Sequence, residues 1–221
     1  MEYEVIRTRR KTIAICIGRN GGVTVRVPLH APNSLIERFV GEKYDWIVEK
    51  SNQMARRDAQ RRSFQFSDGE YLPFLGSCYP IKSGSAAAFD GTSFFVPQEE
   101  NSALRTQIID LYKKLAEQVI LPRVAEYSEK TGWVPEHVRI GSAGTSWGSC
   151  SGKNRLNFTW KLVAAPLEVI DYVIVHELAH LVEHNHSVRF WRLVEQAIPD
   201  YRESRRKLRA LEEELQKIGL G

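Results

Sequence analysis

The stretch Leu167-Glu-Val-Ile-Asp-Tyr-Val-Ile-Val-His176-Glu177-Leu178-Ala179-His180-Leu181-Val182 decides how this chain is read. Val169, Ile170, Val173, Ile174, Val175, Leu178, Ala179, Leu181 and Val182 are apolar on nearly every face, which predicts a buried helix. Pro166 suits its first position and Asn185 suits a left-handed cap at its end. Two histidines four apart point the same way, offset by about 40° and about 6 Å along the axis. Such a pair can hold one zinc ion at about 2.0–2.1 Å per nitrogen. Glu177 is then placed to take a proton from water at the open position of the metal. Burying two imidazoles and a carboxylate in so apolar a helix is costly unless they have partners. A hydrogen-bonded pair of core histidines is the plainer alternative, and a metal accounts for all three groups at once.

The third ligand is a choice between His184 and His186. On an unbroken helix His184 would stand about 12 Å along the axis from His176, beyond the reach of one shared ion. Asn185 can turn the chain and bring His186 back from outside the helix, so His186 is the expected ligand. A separate site on His180 and His184 would leave Glu177 without a role.

His176-Glu177-x-x-His180 with His186, followed by Ser187-x-x-Phe190-Trp191, resembles the YgjP-like metallopeptidases, relatives of the SprT-like and WLM proteases within the zincins. Trp147-Gly148-Ser149-Cys150-Ser151 is similar to the WGSCS element of that family. Arg155–Leu162 is similar to the strand before its active-site helix, and Arg9-Arg10-Lys11-Thr12-Ile13 to its opening. The resemblance implies a zinc site on His176, His180 and His186, with Glu177 as catalytic base. The histidine spacing also suits the metzincins, but Glu183 stands where they carry glycine. Met1 and Met54 are the only methionines, so no Met-turn can follow the site.

At 221 residues, 43% hydrophobic and 26% charged, the chain has the composition of a globular protein able to bury a core. The start, Met-Glu-Tyr-Glu-Val-Ile-Arg, lacks the apolar stretch of a signal peptide, and no run of 18 apolar residues predicts a membrane span. Cys16, Cys78 and Cys150 are odd in number and widely spaced, which fits a reducing interior rather than a disulfide framework. Cytoplasmic residence is the expectation. The net charge is +4, and basic residues gather at Arg7–Lys11, Arg56–Arg62 and Arg202–Arg209. These clusters can meet nucleic-acid phosphates, though interspersed acids such as Glu203 and Glu212–Glu214 read as a solvated face.

The expected fold is α+β, a zincin-like metallopeptidase core preceded by an N-terminal β-rich module. Residues 1–100 form the module, with one long helix, and residues 101–221 form the catalytic domain. Alternating runs over residues 3–28 around the Asn20-Gly21-Gly22 turn predict strands. A helix capped by Ser34 and Glu37 should run to about Arg61. Short aromatic strands follow over residues 63–97. Leu104, Ile108, Leu111, Leu115 and Val119 mark a long helix, kinked by Pro122, running to about Lys130 and ended by Thr131-Gly132. Val138–Ile140 reads as a strand, Gly141–Lys153 as a loop, and Arg155–Leu162 as a strand at the cleft edge. Ser187 caps one following helix and Pro199-Asp200 begins another.

The chemistry expected is peptide hydrolysis with one Zn2+ ion and peptide or protein substrates. Three histidines leave the fourth zinc position open, as catalytic sites require. Two other readings use the same residues. One is a zinc amidase on a non-peptide substrate, and the other is a zinc-stabilised module that binds protein or nucleic acid. Cys150 has no feature favouring direct chemistry over burial. No oxyanion partner stands out among Tyr172, His184, Arg189 and Tyr201.

Overall fold

The structure, a computed structural model, describes all residues except 19, 143–145, 219 and 221, with the backbone alone described at 60–62, 101–102 and 216–217. Part of the Arg56–Arg62 cluster and the middle of the expected Gly141–Lys153 loop therefore lie outside the described residues. The architecture is mixed α+β. Two compact units are present, Met1–Phe64 and Gln65–Gly221.

In the first unit, β1 (Glu4–Thr8), β2 (Ala14–Ile17) and β3 (Val23–Pro28) form a sheet in the order β1-β3-β2. The turn before β3 closes with Gly18 N–H donating to Gly22 O at 2.8 Å and Gly22 N–H to Asn20 Oδ1 at 3.0 Å. Val23, Val25 and Val27 alternate inward from β3 and pack with Ile36, Val40 and Ile47. The single helix expected from Ser34 to Arg61 is two helices, α1 (Asn33–Gly41) and α2 (Tyr44–Ser63). The expected capping box is also absent, because α1 starts at Asn33, two residues before the start that a Ser34 cap would give. Pro32 occupies the cap and no side chain there accepts a hydrogen bond.

The second unit opens with β4 (Tyr71–Phe74), β5 (Ser77–Ser83), β6 (Ala88–Phe89) and β7 (Phe94–Val96), in the sheet order β4-β5-β7-β6. The helix α3 (Asn101–Thr131) runs through Pro122 without a break and ends at Gly132, whose φ of 74° is left-handed. Its buried ridge is Leu104, Ile108, Tyr112, Ala116, Ile120 and Val124. Leu111, Leu115 and Val119 are only half-buried, so beyond Ile108 the buried face is rotated from the expected one. Tyr112 explains why residues 65–100 pack with α3. Its ring lies 5.6 Å from Phe94, nearly parallel, and 5.6 Å from Trp160, while its hydroxyl donates to Pro73 O at 2.6 Å. This column ties residues 65–100 to α3 within the second compact unit, Gln65–Gly221.

A second sheet contains β8 (His137–Gly141), β9 (Gly148–Cys150) and β10 (Arg155–Thr159), in the order β8-β10-β9. Two expectations change here. The WGSCS element is not loop but contributes β9, and the strand expected over Arg155–Leu162 stops at Thr159 and gives way to a 3-10 turn, Trp160–Ala164. As the middle strand, β10 is hydrogen-bonded to β8 on one side and β9 on the other. It cannot be the cleft edge, because neither of its sides is open to an added strand. The 3-10 turn is pinned from the β4–β5 turn, where Leu75 N–H donates to Val163 O at 2.9 Å and Gly76 N–H to Ala164 O at 3.1 Å. Gly76 has φ 79°, and a Cβ there would meet Pro166 Cγ at 2.7 Å, so glycine is needed twice over. That contact fixes the start of α4 (Leu167–Ala179), which is followed by α5 (Val188–Ala197) and α6 (Tyr201–Lys217). Among the described residues, no helix is long and apolar enough to cross a membrane.

Candidate metal centre

The helix α4 is buried along almost its whole length, from Val169 to Ala179. Pro166 precedes it as the cap, one position before the first helical turn where the sequence placed it. Neighbouring helices hold it by polar contacts as well as packing. Arg123 on α3 makes a two-pronged ion pair with Asp171, and Tyr127 shares the same carboxylate. Burial, helped by Asp171, pushes the Tyr127 phenol up to about 12. On the other side Lys207 of α6 pairs with Glu168 at 2.9 Å, and Ser204 Oγ donates to Glu168 O at 3.3 Å.

The helix ends at Ala179, earlier than the Asn185 cap expected from sequence. Leu181 N–H reaches Leu178 O at 3.0 Å and Val182 N–H reaches Ala179 O at 3.1 Å, three-residue bonds that tighten and finish the last turn. Asn185 does not have the positive φ expected of a left-handed cap. The return of the chain is accomplished earlier, over residues 180–183, and Ser187 then starts α5 by accepting a bond from Phe190 N–H at 3.3 Å.

This path brings His176, His180 and His186 together, with one ring nitrogen from each within 4.8 Å of the others. His186 Nε2 lies 3.0 Å from His176 Nε2. His184, on the same turn of chain, is exposed and stands outside the group. His180 Nδ1 faces the Glu183 carbonyl at 3.1 Å. A carbonyl only accepts, so the proton of a neutral ring sits on Nδ1 and Nε2 presents its lone pair. The Phe190 ring lies 4.5–4.9 Å from all three imidazoles and walls the group on one side.

The electrostatics favour neutral histidines. Burial, reinforced by the neighbouring His180 and His186, lowers the His176 pKa to about 3. Burial also lowers that of His180. Neutral imidazoles are the form in which nitrogen binds a metal. Glu177 is 6% exposed, and burial raises its carboxyl to about 7. Its partner in space is unexpected: a Cβ on Gly148 would come within 2.6 Å of Glu177 Cγ and 2.8 Å of its Oε1. The WGSCS element thus lies against the carboxylate, a contact between distant parts of the chain that no local pattern announces. Cys150 lies on the same strand, its thiol pKa raised by burial and then by Glu177.

Three gathered imidazoles could hold a metal ion, with a buried carboxylate at the neighbouring position of the chain. The model of the YgjP-like family, a metallopeptidase domain, matches residues 11–211. The chain belongs to the YgjP-like metallopeptidase family. Its activity is therefore that of a metallopeptidase, with peptides or proteins as substrates. The chain is also similar to the metallopeptidase zymogen of Pyrococcus abyssi abylysin, known from a crystal structure. The identity is 26% and the TM-score 0.39, over 44% of this chain and 95% of that one. No curated protein matches this YgjP-like chain.

Proposed function

We propose that this YgjP-like protein is a zinc peptidase in which His176, His180 and His186 hold one ion and Glu177 serves as general base. The observation that carries the reading is the approach of three imidazole nitrogens to within 4.8 Å of one another. Tetrahedral zinc with bonds of about 2.05 Å needs its ligand nitrogens about 3.3 Å apart, close to the separation of the His176 and His186 Nε2 atoms. Three protein ligands rather than four support a catalytic site over a closed structural one.

When bound, zinc supplies a Lewis acid that activates water and polarises the scissile carbonyl. Glu177 takes the proton of the attacking water and returns it to the departing amine. Its raised pKa suits that exchange near neutral pH. His180 keeps its orientation through the bond from Nδ1–H to Glu183 O. An extended peptide can lie along β9, whose side away from β10 has no strand partner among the described residues. Residues 101–221 would then carry the catalytic ligands, while the compact unit they belong to begins at Gln65.

The test pairs metal analysis with peptide-library cleavage for wild type and Glu177→Gln. The expected result is one zinc per chain in both and cleavage by the wild type alone. Equal cleavage by both, or a wild type without bound metal, would remove the proposal. Cleavage of amides but not peptides would point instead to a zinc amidase, and zinc without hydrolysis to a binding module.

A further inference from the structure

The basic run at Arg202–Arg209 looks uniform in sequence, but the structure divides it. Arg202 pairs with Glu195 at 3.0 Å, Lys207 with Glu168 at 2.9 Å, and Arg206 with Glu203. Arg205 and Arg209 have no carboxylate partner among the described residues. They follow Tyr201 at steps of four, so the three residues share one face of α6. That face leads into the histidine group. Tyr201 stacks on Tyr172 at 6.4 Å and on Trp191 at 5.2 Å, and Trp191 stacks on His186 at 5.7 Å.

The Arg205 guanidinium lies over the same indole, 5.5 Å from the ring centre. This cation and His186 thus share contact with one indole. A guanidinium held over a ring still has N–H donors to offer a planar anion.

We propose that Arg205, backed by Arg209, receives a carboxylate of the peptide held at the histidine centre, and so gives this peptidase a preference for acidic substrates. The proposal rests on the peptidase reading above. The carboxylate is either an Asp or Glu side chain or a free C-terminus, and both present the same planar anion.

Binding tests it without turnover. Fluorescein-labelled peptides of one length are titrated into the Glu177→Gln protein, in four forms: Glu or Gln side chains, each with a free or amidated C-terminus. Acidic peptides should bind about tenfold more tightly than neutral ones, the size of one charge-assisted hydrogen bond. Arg205→Gln should erase that difference and leave neutral peptides unaffected. Arg205→Lys should keep part of it, and Arg206→Gln, on the same helix, should keep all of it. The Glu/Gln comparison and the acid/amide comparison identify which carboxylate is read.

Equal binding of all four peptides would overturn the proposal, as would equal weakening of acidic and neutral peptides by Arg205→Gln. So would Arg205-dependent binding of a single-stranded oligonucleotide with no preference among the peptides. Failure of the peptidase reading shows separately, as absent cleavage by the zinc-loaded wild type.

Discussion

Gly148 on β9 lies against the carboxylate end of Glu177 on α4, so closely that a single methyl group on residue 148 would displace it. The crowded atoms are Cγ, Cδ and Oε1 of this one side chain and none is backbone, so the fold can absorb the change while Glu177 cannot keep its place. Gly148→Ala should therefore retain zinc and stability but lose about 10- to 100-fold in kcat, the usual penalty for moving a catalytic group by about 1 Å. Zinc content, thermal unfolding and peptide cleavage measured together decide it. A fall in stability with unchanged kcat per folded molecule would mean that Gly148 serves packing alone.

The pH dependence of the metal-free protein should carry the mark of Glu177. Its carboxyl is raised from 4.5 to about 7 in the folded chain. Below pH 4.5 it is protonated in both folded and unfolded chains. Between 4.5 and 7 the folded chain keeps a proton that the unfolded chain has released, so stability falls as pH rises. The accumulated loss above pH 7 is about 3 kcal/mol. Glu177→Gln never ionises and should escape that loss. Chelator-treated wild type and variant should thus unfold alike at pH 4 and diverge by pH 8, with the variant the more stable. A difference that stays flat across that range would contradict the burial of this group.

The ion pair of Arg123 with Asp171 couples α3 to the histidine-bearing helix, with side-chain exposures of 26% and 12%. Asp171→Ala strips the acceptor from both Arg123 and Tyr127. It should cost about 2 kcal/mol in urea unfolding, less than a fully buried pair because the guanidinium still meets water. A double-mutant cycle with Arg123→Ala should return a coupling of about 1 kcal/mol or more, and additive losses would show the two residues to be independent.

His186 and His184 should part company under mutation. His186→Ala should lower zinc affinity by about 10-fold or more, while His184→Ala leaves it nearly unchanged. Ser187→Ala removes the N-cap of α5 next to His186 and should cost about 1 kcal/mol of stability. Chelation should lower the Tm of the wild type and change that of His186→Ala much less. Isothermal titration with zinc and thermal scans with and without chelator give both answers, and loss of binding in His184→Ala would reassign the third nitrogen.

The sequence made some of this legible and hid the rest for identifiable reasons. The all-round apolar pattern of Val169–Ala179 reads as a buried helix because burial on every side is what it has. The grouping of His176 with His180 follows from helical spacing, and that of His186 from a chain able to turn back. β9 was invisible because Gly148, Ser149 and Cys150 are too few to show an alternation. Leucine spacing does not give the core face of α3, because Tyr112 and Ala116 enter the core while Leu111 and Leu115 stay half-buried. The unpaired pair Arg205 and Arg209 cannot be told from Arg202, Arg206 and Lys207 by composition, since the difference lies in which carboxylates neighbour each one.

The early end of α4 also divides the three imidazoles by what holds each one. His176 belongs to a regular buried turn, and His180 to a cap tied to Glu183. His186 hangs on the short connection before α5. Two imidazoles thus stand on α4 and its cap, and the third on the connection that leads into α5, so changes at residues 184–187 should shift His186 chiefly and leave His176 and His180 in place.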